Sequence, residues 1–98
     1  MNKVQKAFDK HGADFGVTGN WNPSKADEII EAISNHVHSP NTQRIQGTYR
    51  WNIPGYHYYD PTTGLWTFTD LDGNFVTGWN IHNSPQQLND LLTKGNVW

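Results

Sequence analysis

Between Gln43 and Trp79 the chain is dense in β-branched and aromatic residues and is broken by turn chemistry at Asn52-Ile53-Pro54-Gly55, Asp60-Pro61-Thr62-Thr63-Gly64 and Asp72-Gly73-Asn74. Glycine, proline and the short polar residues end a strand because they favour backbone angles or local hydrogen bonds that a ladder excludes. The pattern predicts four strands, near 43–51, 56–59, 65–70 and 75–81. Connections this short join antiparallel neighbours, so a four-stranded antiparallel meander is expected. Side chains alternate along a strand, which puts Leu65, Thr67 and Thr69 on one face and Trp66, Phe68 and Asp70 on the other. The pattern alone leaves open which of the two faces the core.

Helical spacing flanks this region. Val4, Ala7, Phe8 and His11 fall on one face of a short first helix, with Lys3, Lys6 and Lys10 as a stripe beside it. Ser24 is placed to cap a second helix with Asp27 three residues on, and Ala26, Ile29, Ile30, Ile33 and Val37 carry its apolar stripe to about His38. Ser39-Pro40-Asn41 stops it. Near the end, Ser84-Pro85-Gln86-Gln87 offers a cap, a proline at the first helical position and glutamine at the third, with Leu88, Leu91 and Leu92 following and Gly95 closing. The expected architecture is α+β: two N-terminal helices, a four-stranded antiparallel meander, and a short C-terminal helix packed on the sheet.

At 98 residues there is room for one domain, spanning 1–98, with one modest core. Only 35% of the residues are hydrophobic, but five Trp, four Tyr and four Phe each bury a large area and can anchor such a core. The absence of cysteine excludes a disulfide framework and a thiolate zinc site. No apolar run is long enough to span a bilayer, and no charged start is followed by a hydrophobic stretch, so export is expected to depend on something outside this chain. The formal charge of -2 counts against a nucleic-acid partner, because phosphate contacts need concentrated positive charge.

Without cysteine, and with few closely spaced carboxylates, the candidates for chemistry reduce to five histidines, Lys10 and the hydroxyls. His36 and His38 stand two apart on a helix and point to different faces, poor geometry for a shared metal. His57, between tyrosines in a strand, and His82, before the last helix, suit packed or surface roles. His11 differs in following Lys10 directly. Cleavage of RNA without metal needs a base for the 2′-OH proton and a cation for charge gathering on the phosphoryl oxygens. An imidazole near its ordinary pKa of about 6.5 can supply the first and a lysine ammonium the second. The lysine stripe is equally compatible with an ordinary solvated face.

The segments Lys10-His11-Gly12-Ala13-Asp14-Phe15-Gly16, Gly47-Thr48-Tyr49-Arg50, His57-Tyr58-Tyr59-Asp60-Pro61-Thr62-Thr63-Gly64 and Asp72-Gly73-Asn74-Phe75-Val76-Thr77-Gly78-Trp79, taken in order, resemble the colicin D catalytic-domain family. Its members are tRNA anticodon nucleases, carried as C-terminal domains of colicins and of contact-dependent and other polymorphic toxins, and silenced by a cognate immunity protein. The resemblance implies a metal-independent tRNA endoribonuclease without cofactor, delivered as part of a larger toxin and acting in the target-cell cytoplasm. It implies His11 as the catalytic histidine, Lys10 as its helper, and Thr77 and Trp79 in place of the family's Ser-Gly-Trp serine and tryptophan. Threonine keeps the hydroxyl but adds a methyl that stiffens χ1. The lysine found two positions before the Lys-His pair in colicin D is Phe8 here, with Lys6 one turn back.

In the expected reaction the 2′-OH attacks its own phosphate, leaving a 2′,3′-cyclic phosphate and a 5′-OH. His11 serves as base, acid or both; Lys10 steadies the phosphorane and Thr77 a phosphate oxygen. Trp79 is open to two roles, stacking an unpaired base or packing under the C-terminal helix. Lys3, Lys6, Arg50 and Trp51 are candidate RNA contacts. From other classes, His57-Tyr58-Tyr59-Asp60 through Thr77-Gly78-Trp79 also looks like one copy of the repeats that bind choline on cell-wall polymers, although such modules need neighbouring copies. A protein that only binds or inhibits a partner is a third alternative.

Overall fold

A computed structural model describes residues 15–16 and 23–98. Within them, α1 (Pro23–His38) precedes β1 (Gln43–Tyr49), β2 (Ile53–Tyr59), β3 (Leu65–Asp70) and β4 (Phe75–Asn80). A 3-10 turn over Ile81–Asn83 leads to α2 (Pro85–Lys94) and a final strand, β5 (Asn96–Val97). The expected first helix, over Val4 to His11, lies outside the described residues.

The sheet has five strands in the order β4-β3-β2-β1-β5. The four expected strands form the antiparallel meander. The chain end adds β5 alongside β1 in parallel, so the sheet is mixed rather than purely antiparallel. A two-residue strand has no periodicity to read. It forms because Gly95, left-handed at φ 66°, ends α2 and turns Asn96 and Val97 back along β1.

The first hairpin also departs from expectation. Its turn is Arg50-Trp51-Asn52, not Asn52 to Gly55; Tyr49 pairs with Ile53 and Pro54 with Thr48 inside the ladder. Proline is tolerated there because β3 begins pairing with β2 only at Gly55, so the missing N–H would have found no partner strand on that side. The Thr48 N–H, correspondingly, turns away from β2 to the Gly95 carbonyl at 2.9 Å.

One face of the sheet closes over the main core. Tyr49, Tyr59, Trp66 and Phe68 meet Ile81, Leu91 and Val97, with Ile45, Ile53, Leu88 and Trp79 at its margin. Rings set its shape: Tyr49 lies 5.7 Å from Phe68 and Trp66 4.6 Å from Trp79, both offset from parallel as ring quadrupoles favour. The Trp66 and Phe68 face is therefore the one under α2. The opposite face is covered as well, because Ile29, Ala32 and Ile33 of α1 pack with Phe75, and Thr67 is fully buried. His36 of α1 donates through Nε2 to the Tyr58 carbonyl at 2.9 Å, tying that helix to β2.

Smaller corrections follow from these contacts. α1 starts at Pro23, so Ser24 sits inside the helix rather than capping it. Ile30 and Leu92, expected in apolar stripes, are exposed. Ser84 makes no side-chain cap, and the Gln87 amide reaches the Trp98 carbonyl at 2.6 Å instead of its own helix start.

Candidate functional site

Thr77 and Trp79 sit on β4, an edge strand of the sheet. Thr77 pairs with Phe68 and Trp79 with Trp66, so both side chains share the face of the aromatic core, and both are half-buried. Trp79 meets Trp66 edge-on at 62°. Gly78 between them is buried and faces the other way. A β-carbon there would fall 2.8 Å from the Thr67 Cγ2 and 3.2 Å from the Phe15 ring, so glycine is what lets Phe15 lie on the strand. Phe15 is itself buried. It stands four residues after His11 in the segment that carries Lys10 and His11. Lys3, Lys6, Lys10 and His11 lie outside the described residues.

Arg50 and Trp51 stand apart from Thr77 and Trp79. Their loop lies beyond the Tyr49 and Ile53 pair, whereas Thr77 is level with Phe68 and His57 in the ladder. Four residues of β2 separate those levels, roughly 13 Å along the strand. Both loop residues are left-handed, at φ 53° and 69°, and both are exposed. The Arg50 guanidinium lies 5.2 Å from the Tyr49 ring centre and the Lys94 ammonium 5.8 Å from that of Trp51. Lys94, which sequence reasoning missed, comes near because α2 ends beside the first hairpin, a contact between residues far apart in the chain.

Of the other histidines, His57 and His36 are buried and tie elements of the fold together. His57 is fully buried; its Nε2 donates to the Gly95 carbonyl at 2.9 Å and its Nδ1 accepts the Trp66 indole N–H at 3.1 Å. That pairing fixes a neutral ring, and burial lowers its pKa, only partly offset by hydrogen bonds to the backbone at Gly95 and Thr48. Burial likewise lowers His36, against the opposing influence of the Tyr58 carbonyl and of Asp60. His38 bonds the Ser34 carbonyl at 2.9 Å within its own helix. His82 is exposed and shares a 2.8 Å hydrogen bond with the Tyr59 hydroxyl. Burial, with Asp60 second, raises that phenol. Among the described residues no three His, Asp or Glu side chains gather as they would around a metal ion, and no helix is long and apolar enough to cross a membrane.

An α+β domain with a mixed sheet clad by a helix on each face has a solved counterpart. The structure of a ribonuclease from Escherichia coli complexed with its inhibitor protein is similar with a TM-score of 0.83 and 26% identity, over 97% of this chain and 100% of that one. The Colicin D family pattern matches residues 3–90, and the chain belongs to the Colicin D family. No curated protein matches it. The cell-wall repeat alternative does not survive, because its aromatic segment is built into a closed core: Tyr59, Trp66 and Phe68 are all buried.

Proposed function

We propose that this domain is a toxin ribonuclease that cuts tRNA in the anticodon loop without metal or cofactor, and that a cognate immunity protein silences it. The observation that carries this is the joint one of family membership and likeness to a ribonuclease held by its inhibitor over essentially the whole of both chains. On this reading the domain spans 1–98, is delivered within a larger toxin, and acts in the cytoplasm of the target cell.

In the proposed reaction His11 takes the 2′-OH proton, the oxygen attacks the adjacent phosphorus, and the 5′-oxygen leaves with a proton returned to it. Lys10 offsets charge on the phosphorane and the Thr77 hydroxyl holds a phosphate oxygen. Trp79, its ring angle set by Trp66, stacks an unpaired base. Lys3 and Lys6 contact flanking phosphates. Two structural facts support the grouping. Phe15, four residues after His11 in the sequence, is seated on Gly78, the residue between Thr77 and Trp79. His36 and His57, the buried histidines among the described residues, already serve hydrogen bonds that tie elements of the fold together.

Digesting total tRNA in the presence of a chelator, then mapping cut positions and end groups, tests the reading. It predicts a break within an anticodon loop bearing a 2′,3′-cyclic phosphate and a 5′-OH. Cuts spread over the acceptor stem, or activity that the chelator removes, would contradict it.

A further inference from the structure

Arg50 and Trp51 occupy backbone angles that glycine and asparagine ordinarily take, because other side chains there crowd their own carbonyl oxygens. They hold them because the loop is tied to β5. The Arg50 N–H donates to the Val97 carbonyl, and the Asn96 Oδ1 accepts the Trp51 N–H and the Thr48 hydroxyl, each at 2.9 Å. The outcome is a fixed loop presenting an indole that is 61% exposed.

Charge is concentrated at the same place. The basic residues among those described are Lys25, Arg44, Arg50 and Lys94. Lys25 pairs with Glu28 at 3.3 Å and Arg44 lies over the Tyr56 ring, while Lys94 lies 5.8 Å from the Trp51 ring centre and Arg50, the chain neighbour of Trp51, is exposed with its guanidinium over the Tyr49 ring. Lys94 also meets Asp90 at 3.5 Å, but Asp90 is shared with the Trp98 indole N–H, and more than half of the Lys94 side chain stays exposed. An exposed flat ring with Lys94 beside it and Arg50 next to it in the chain is complementary to one unpaired base and its adjacent phosphates, since every base offers a π-face.

We propose that the Arg50-Trp51-Asn52 loop, with Lys94, is a second RNA-contact site, separate from the cleavage site, that stacks an unpaired base on Trp51. This rests on the ribonuclease reading for the identity of the ligand, and it gives an acidic domain a local patch of positive charge on which RNA can be held.

The test uses His11→Ala protein, so that RNA is not consumed, and follows binding of a fluorescein-labelled single-stranded oligoribonucleotide by anisotropy over a range of salt. Adding Arg50→Asn with Trp51→Gly is expected to weaken binding about 5- to 100-fold and to lower the salt slope by roughly 0.7 for the lost phosphate contact. Trp51→Phe, which keeps a ring, is expected to retain most of the affinity. Because asparagine and glycine suit the left-handed angles, the double variant should melt no lower than its parent, which separates lost contact from lost fold. Unchanged RNA affinity in the double variant overturns the proposal. So does unchanged RNA affinity with lost capture by the inhibitor protein, which would make the loop a protein-docking site. The two readings fail separately: a chain that cleaves tRNA with an indifferent loop loses only this site, and one that binds RNA through the loop but never cleaves loses only the nuclease.

Discussion

His57 shows how a residue type associated with catalysis is consumed by architecture. Its ring bridges the Trp66 indole and the Gly95 carbonyl and lies 4.8 Å from the Phe68 ring, so it joins β2, β3 and the end of α2. Removing it leaves the buried Trp66 indole N–H unpaired and the Gly95 carbonyl with only the Thr48 N–H, beside a cavity, so His57→Ala is expected to lower unfolding free energy by about 2–4 kcal/mol in urea titrations. The sign of its pH effect follows from burial. Above the ordinary value of about 6.5, His36 and His57 are neutral folded or unfolded and stability is full. As pH falls from there toward the lowered folded values, the unfolded chain takes up protons that the folded chain refuses, and stability drops. Urea midpoints should therefore fall between pH 7 and 5. His36→Gln, which keeps a donor for the Tyr58 carbonyl but does not titrate, should flatten part of that fall; an identical slope would contradict this assignment. The sequence suggested that His36, His38, His57 and His82 were ordinary residues, but not what His36, His57 and His82 hold, since the Tyr58 and Gly95 carbonyls, the Trp66 indole and the Tyr59 hydroxyl reach them only through folding.

At the scale of elements, the strands were legible because turn chemistry and aromatic density agree over Gln43 to Trp79. The misplaced first turn has a specific cause. Pro54-Gly55 reads as a turn in isolation, whereas Arg50-Trp51 carries no turn signal and is held left-handed by contacts from β5. Those contacts depend on Gly47, where a β-carbon would fall 2.0 Å from the Gly95 carbonyl oxygen. That oxygen accepts both the Thr48 N–H and the His57 ring, so Gly47→Ala must push α2 and β5 off β1. The expected loss is at least about 3 kcal/mol, seen as a lower urea midpoint. Asn96→Ala removes the shared acceptor of Thr48 and Trp51 and is expected to lose about 1–3 kcal/mol. It should also speed hydrogen exchange at the Trp51 amide; unchanged exchange would mean the loop is held by other contacts.

The whole molecule is a sheet buried on both faces, and that arrangement explains which parts of the site could be foreseen. The α+β class was readable from the succession of periodicities, and Thr77 and Trp79 became candidates through the motif around Gly78. Their sharing of one face follows from strand alternation, whereas the packing of Phe15 against Gly78 leaves no trace in local pattern. Lys94 was invisible for the same reason, because it nears Trp51 only when α2 closes over the core. The formal charge of -2, which argued against a nucleic-acid partner, is an average over the chain and says little about where Arg50 and Lys94 stand. The proposed chemistry rests on His11 as the imidazole that performs the proton transfer in RNA cleavage. Single-turnover cleavage of tRNA by wild-type and His11→Ala protein, with chelator present and folding checked by circular dichroism, tests it most directly. A loss of about 10²- to 10⁴-fold is expected in the variant; equal rates for the two proteins would rule His11 out as the proton-transfer group.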